Sequence, residues 1–338
     1  MFKLVFIRYF ARIICIGFTL CGCTKIAGLD KKTSNAPEVF NEACEIINNR
    51  YALFDLKTID WQAACRKESQ LIANSMSQND LFKVLGTHLM ALKDGHVSLI
   101  SDSDTTTYTG FYSPYPTNFN FKNITSFYLN NSYEKTGPFI YAIRDNVGYL
   151  YYHSFYNDFS DSDVAQVFSF FKNVKGLIVD IRNNTGGKYA NVERLFSHFI
   201  TARRLVKYET SKKGSGHSDF FVPEPYYVQP AGNNLFLKKV CVLTNRKCFS
   251  ACNDFVSFMS DLPNVMQVGN TTGGGGGLPN RYLLKNGWYL QYTATKTLSA
   301  GGLAIENGIT PDYLVNITPV DETTGKDPII EKAYSLLQ

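Results

Sequence analysis

The 338-residue chain is short of the signals that mark several large protein classes. It has no CxxC pair, no run of lysines and arginines, no internal repeat and no long low-complexity tract. Eight cysteines are present, but Cys15, Cys21 and Cys23 fall in the first 23 residues. That leaves Cys44, Cys65, Cys241, Cys248 and Cys252, an odd set without CxxC pairs, which argues against a disulfide scaffold and a zinc site. Cys44 and Cys65 could pair in an oxidising compartment; their spacing does not decide it. Charged residues make up 19% of the chain and the net charge is +5. Lys3, Arg8 and Arg12 account for the excess: without residues 1–22, 31 basic residues face 29 acidic ones. With the basic residues scattered, nucleic acid is not an expected partner. The longest apolar run near the start, Ile13–Leu20, is too short for a comfortable membrane span.

What is present begins with that same segment. A basic start, an apolar run and Cys21-Gly22-Cys23 have the proportions of a signal peptide, and the ending resembles that of a bacterial lipoprotein. Residues 1–22 are therefore expected to be removed, with Cys23 the lipid-bearing N-terminus and residues 23–37 a polar tether; a plain secretory signal or uncleaved anchor is the alternative. The chain would then be anchored to a membrane of the bacterial envelope rather than span it.

Residues 38–100 have apolar spacings near three and four and are expected to form a small helical domain ending at Lys93-Asp94-Gly95-His96, with Gly95 as the helix stop. Residues 101–138 are expected to be irregular or a small sheet. From about residue 139 to 320 the pattern is α/β. A hairpin turns at Asp145-Asn146, buried strands run over Gly176–Ile181 and Val240–Leu243, and a second hairpin turns at Lys285-Asn286-Gly287. Residues 321–338 end in a helix.

Two junctions carry chemistry. Strand Val240–Leu243 breaks at a polar turn and resumes as a helix at Phe249-Ser250-Ala251-Cys252. A serine there either caps the helix or presents its hydroxyl beside free helix-terminal N–H groups. The second junction, Asp180-Ile181-Arg182-Asn183-Asn184-Thr185-Gly186-Gly187, is a strand running into a glycine turn that can aim N–H groups at an anion, or is a plain strand–turn–helix joint.

Taken in order, DIRNNTGG, the strand–Ser250–Ala251 junction, the VGNTTGGG loop and the segment Gly302–Asp312 (GLAIENGITPD) resemble the S41 serine peptidases, the family of C-terminal processing, tail-specific and tricorn-core-like proteases. The helical stretch ending at Asp94-Gly95-His96 resembles the tricorn-like branch. The resemblance implies a ClpP/crotonase-like α/β core with a small N-terminal helical domain. It implies a serine endopeptidase acting on peptides or unfolded proteins without cofactor or metal. Processing proteases place a lysine in the glycine-rich loop, where this chain has Gly275, and Lys285 and Lys296 do not fit that motif. The tricorn-like pattern implies instead Ser250 as nucleophile, His96 as base and Glu306 as its orienting acid. Ala251 with Gly186 or Gly187 would form the oxyanion hole, and Gly274, Gly275 and Gly276 a substrate-facing loop. Asn253 replaces a glutamate that often follows the Ser-Ala pair, Gly95 a serine that can precede the histidine, and the span from His96 to Gly148 is short for a PDZ domain. His88, His153, His198 and His217 are weaker base candidates. The competing expectation is a catalytically inactive peptide- or glycan-binding lipoprotein on the same fold; clustered metal ligands for a metallohydrolase are absent from the sequence.

Overall fold

A computed structural model describes residues 35–338. The expectations for residues 1–22, Cys23 and most of the tether lie outside the described residues. In chain order the elements are α1 (Ala36–Arg50), α2 (Trp61–Ser69), α3 (Gln78–Met90), β1 (Ser98–Ile100), β2 (Thr105–Thr107), α4 (Phe121–Asn123), β3 (Glu134–Thr136), β4 (Phe139–Arg144), β5 (Val147–Tyr152), α5 (Asp161–Phe170), β6 (Gly176–Asp180), α6 (Tyr189–Phe196), β7 (Arg204–Ser211), β8 (Glu224–Val228), β9 (Lys239–Thr244), α7 (Ala251–Ser260), β10 (Val265–Gly269), β11 (Pro279–Leu283), β12 (Tyr289–Thr293), β13 (Thr295–Ser299), β14 (Tyr313–Leu314), α8 (Pro319–Thr324) and α9 (Pro328–Leu337). No helix among them is long and apolar enough to cross a membrane.

The centre is a seven-stranded sheet in the order β14-β10-β9-β6-β5-β4-β3, parallel from β5 to β14 and antiparallel at the β3–β4–β5 end. Its period of two sorts side chains cleanly. Leu150, Tyr152, Leu177, Val179, Val240 and Val242 pack beneath α5, α6 and α7. Their neighbours Tyr149, Tyr151, Ile178, Cys241 and Leu243 pack beneath α9 and the 124–129 segment. Strands covered on both faces read as continuous apolar runs, which is why β6 and β9 were legible. Asp145 and Asn146 both take positive φ, +50° and +62°, as a two-residue hairpin turn requires.

Asp180, the one charge in the buried run of β6, is answered by Arg182 rather than by water. Arg182 is fully buried; Nε and Nη2 donate to Asp180 at 2.9 and 2.6 Å, and Nη1 donates to Asp327 at 2.8 Å. Asp327 also caps α9 by accepting the amides of Ile329 and Ile330. The Asp and Arg of the DIRNNTGG motif thus bolt the C-terminal helix to the end of β6, just ahead of the glycine turn.

The helical region departs from the expected boundaries. α3 stops at Met90, and Gly95 is not its terminator: the left-handed residue after the helix is Lys93, at φ +50°. The region is also not closed near residue 100. Strand β1 pairs with β12 in a sheet β11-β12-β1-β2, and Leu284, Leu290 and Tyr292 complete the helical core. Cys44 and Cys65 form a disulfide joining α1 to α2, while Cys241, Cys248 and Cys252 are free and buried. A third sheet, β13-β7-β8, covers residues on which the sequence patterns were silent.

Arg182→Met leaves Asp180 and Asp327 buried without their counter-ion and is expected to cost about 3–5 kcal/mol of stability. The urea unfolding midpoint reads this, and a loss below about 1 kcal/mol would show that the network is not structural.

Candidate active site

The junction after β9 holds Ser250 in a conformation that few L-residues adopt, φ +56° and ψ −126°. Such backbone costs roughly 1–3 kcal/mol and persists only where surrounding bonds over-determine it. Here the Phe249 amide donates to Asn184 O, the Ser250 amide to Gly274 O and the Asp254 amide to Ser250 O. Ser250 occupies the N-cap position of α7, yet its side chain makes no capping bond. The hydroxyl instead lies 3.0 Å from His96 Nε2.

His96 comes from the helical region and is fixed from several sides. Its amide donates to Asp94 Oδ1 at 2.7 Å, its carbonyl accepts from Gln291 Nε2, and its ring packs on Phe249. Asp94 is held in turn by Tyr51 and Thr293 hydroxyls. Burial lowers the pKa of His96 below its ordinary 6.5, against the opposing charge of Asp94, so the ring is a neutral base at physiological pH. For the serine hydroxyl to donate to Nε2, the ring proton must sit on Nδ1, and Nδ1 is buried without a protein hydrogen-bond partner.

The Glu306 carboxylate does not supply that partner. It accepts from Lys57 Nζ at 2.9 Å and from the Gly276 amide at 2.9 Å. Both partners of the ion pair are nearly sealed from solvent. Burial first, then the Asp94 charge, push Glu306 up to about 8, against the pull of Lys57 and Gly276. The expected direct contact of Glu306 with the histidine is therefore replaced by a contact to a lysine and to the glycine loop. Lys57, which no motif marks, is the residue that sequence reasoning missed.

The glycine loop is a lattice of backbone contacts. Gly273 and Gly275 amides donate to Cys248 O and Glu306 O. A Cβ on Gly274 would stand 1.8 Å from Glu306 O, and one on Gly275 would enter the Phe249 ring at 2.5 Å. A lysine at position 275 has no room beside Phe249. Of the three glycines expected to face substrate, only Gly275 lines the cavity at Ser250, together with Gly277; Gly274 and Gly276 face the Glu306 segment. Gly95 is likewise constrained, because a side chain there would meet the stacked rings of Phe111 and Phe249.

The oxyanion side also differs in detail. Gly186 packs against Ser250, but its amide donates to Asn184 Oδ1 at 3.0 Å. Gly187, not Gly186, lines the cavity with Ser250 and Ala251. The cavity measures about 360 Å³ and is lined further by Tyr156, Tyr189, Thr297, Arg281, Lys207 and Asp254. Lys207 is no free base: burial pulls its pKa down, but the nearby Asp254 and Glu209 carboxylates outweigh this and keep it raised. Lys296 pairs with Asp55. Asn253 bonds Ile305 O and Thr272 Oγ1, steadying the segment before Glu306. His153 bonds Tyr151, His198 stacks on Phe168 and His217 on Phe54. His88 lies 3.3 Å from Cys65 Sγ; with Cys44 these are the one group of clustered metal-donor atoms found among the described residues, and the sulfurs are joined to each other.

Two stability measurements probe this geometry. Ser250→Gly is expected to be about 1 kcal/mol more stable than Ser250→Ala, because glycine relieves the positive-φ strain that alanine keeps; equal melting temperatures would mean the strain is absent. Lys57→Met is expected to cost about 1–3 kcal/mol through the unpaired Glu306. Unfolded glutamate ionises near 4.5 whereas the folded group titrates about 8, and loss of Lys57 raises the folded value further. The variant's deficit should therefore widen as pH rises above about 8, and a pH-independent deficit would contradict this.

Comparison with known proteins fits this geometry. Residues 146–315 match the model of Peptidase family S41, and residues 34–89 that of the Tricorn protease C1 domain. A crystal structure of a candidate peptidase from Parabacteroides merdae is 39% identical, covers 90% of this chain and 97% of that one, and superposes with a TM-score of 0.86. Mature CPAF, at 13% identity, shares the fold with a TM-score of 0.68 over 90% of this chain and 96% of its own. A "Probable CtpA-like serine protease" of Staphylococcus haemolyticus is 26% identical over 202 residues, 58% of this chain but only 38% of that relative's length. With the family model spanning half the chain, over the parallel strands of the central sheet, the glycine turn, Ser250 and the Glu306 segment, this protein belongs to peptidase family S41.

Proposed function

We propose that the protein is a serine endopeptidase in which Ser250 attacks a peptide carbonyl and His96 takes the hydroxyl proton, later returning it to the leaving amine. The observation that carries this reading is the 3.0 Å contact of Ser250 Oγ with His96 Nε2, made by a serine held at positive φ. A strained strand-to-helix turn that projects a serine into a cavity beside a neutral imidazole is the arrangement nucleophilic catalysis needs. The developing oxyanion is received by the amides of Ala251 and Gly187, at the start of α7 and in the glycine turn; each such donor is worth roughly 3–4 kcal/mol in the transition state. Glu306 acts on the site at one remove, fixing the glycine loop through the Gly276 amide, with Lys57 as its counter-ion. The substrates are peptides or unfolded proteins. The basic–apolar–cysteine start supports a location in the bacterial envelope with Cys23 as lipid anchor; metabolic labelling with a palmitate analogue, lost in Cys23→Ser, tests it.

A serine-reactive phosphonate is expected to label the protein, and Ser250→Ala to abolish labelling. His96→Ala should lower kcat/KM on an unfolded protein by at least about 10³-fold, whereas Lys285→Met should leave it within a few-fold. Because burial lowers the His96 pKa, activity should fall with acid only below 6.5, as the ring becomes protonated. An acid limb centred above 7, or undiminished labelling in Ser250→Ala, would sink the assignment, leaving a non-catalytic peptide-binding role.

A further inference from the structure

A second, larger cavity of about 640 Å³ adjoins the one at Ser250. The two share Leu278 and Pro279, at the start of β11. β11 is the edge strand of its sheet, and alternation along it sends Asn280 into the larger cavity and Arg281 into the catalytic one. The larger cavity is lined by Arg50, Lys212 and Lys213, and by no carboxylate.

Three lysines near the catalytic centre are answered by acids. Lys57 pairs with Glu306, Lys207 with Glu209 and Asp254, and Lys296 with Asp55. Arg50, Lys212, Lys213 and Arg281 are not ion-paired with any carboxylate among the described residues. Arg50 lies over the Tyr282 ring, Lys212 donates to the Gly216 carbonyl and Arg281 to Gln291. Asp219, whose carboxylate accepts the Gly216 amide, acts electrostatically on Lys212 without forming an ion pair with it. Past residue 22 the chain carries nearly balanced charge, 31 basic against 29 acidic residues, so four unanswered cations around two joined cavities are not a share of a general excess. Concave, same-sign surface of this kind concentrates oppositely charged ligands.

Resting on the peptidase reading, we propose that this basic cavity is an extended subsite for acidic residues of the polypeptide substrate. A chain lying over Ser250 passes Leu278 and Pro279 and sets aspartate or glutamate side chains among Arg50, Lys212 and Lys213. The enzyme then prefers segments that carry carboxylates a few residues from the cut.

Binding without turnover tests the proposal. Full-length Ser250→Ala protein is titrated against two labelled peptides of equal length, one with a run of glutamates and one with glutamines in their place, and read by fluorescence anisotropy. The acidic peptide is expected to bind about 10-fold more tightly at low salt, and the advantage to shrink at about 1 M salt. In the Lys212→Glu/Lys213→Glu background the preference should disappear or invert; Lys212→Gln/Lys213→Gln, a milder change, should reduce it, with circular dichroism reporting the fold of both. Equal affinity for the two peptides, a preference that survives charge reversal, or an oligonucleotide that competes as well as the acidic peptide would overturn the subsite. Phosphonate labelling of wild-type Ser250 reports on the peptidase reading separately, so a labelled enzyme with no acidic preference rejects only the subsite.

Discussion

The site depends on one backbone constraint, the positive φ of Ser250. That torsion turns the hydroxyl away from the helix it would otherwise cap and toward His96. It is held by two hydrogen bonds from distant parts of the chain and one local one: Asn184 after β6 receives the Phe249 amide, Gly274 in the glycine loop receives the Ser250 amide, and α7 begins with the Asp254 amide on Ser250 O. The motifs that stand far apart in the sequence are the ends of those bonds. Asn184 also ties Gly186 and Tyr152, and Asn183 exchanges bonds with Asn245, so the two turns at the strand ends are laced into one surface. Parallel neighbours β6 and β9 bring those turns side by side because their C-terminal ends lie on the same edge of the sheet.

Most of the buried charges are paired directly, while buried Asp94 is held by the Tyr51 and Thr293 hydroxyls. Arg182 joins Asp180 to Asp327 behind the glycine turn, Lys57 meets Glu306 beside the glycine loop, and Lys207 pairs with Glu209 and Asp254 at the cavity lining. The Arg182–Asp327, Lys57–Glu306 and Lys207–Asp254 pairs join elements distant in sequence, and each desolvated charge would be costly alone. The Lys57–Glu306 pair has the further effect of binding the loop after α1 to the segment that carries the glycine lattice. His96 therefore reaches Ser250 on a platform cross-linked to the core twice, through β1–β12 pairing and through this ion pair.

The sequence made most of the core legible. β6 and β9 announce themselves because strands buried on both faces are apolar without alternation, and the 145–146 and 285–287 hairpins because their turn residues tolerate positive φ. Ser250, His96 and Ala251 were marked by their places in ordered motifs, and the structure brings them together. The Gly186–Gly187 pair was marked as a pair, but which amide is free depends on Asn184 Oδ1, a contact made across the turn. Strands β7, β8 and β13 left no clear pattern, since their pairing partners are far along the chain and their exposed faces tolerate many residues.

Residue type and spacing by themselves pointed to the α/β core and the candidate nucleophile, and the resemblance carried by the ordered motifs pointed to the family and the candidate base. Those features rest on local rules, which glycines, strand periodicity and strand–turn–helix junctions obey within a few residues. Tertiary structure alone decided that Ser250 is not a cap, that Gly275 has no room for a lysine side chain, that Cys44 and Cys65 are joined, and that Glu306 answers Lys57 rather than His96. Each of these is a choice between competing partners. A buried carboxylate takes the cation that desolvation makes hardest to leave unpaired, and which cation is within reach is set by how residues some 250 positions apart are folded together.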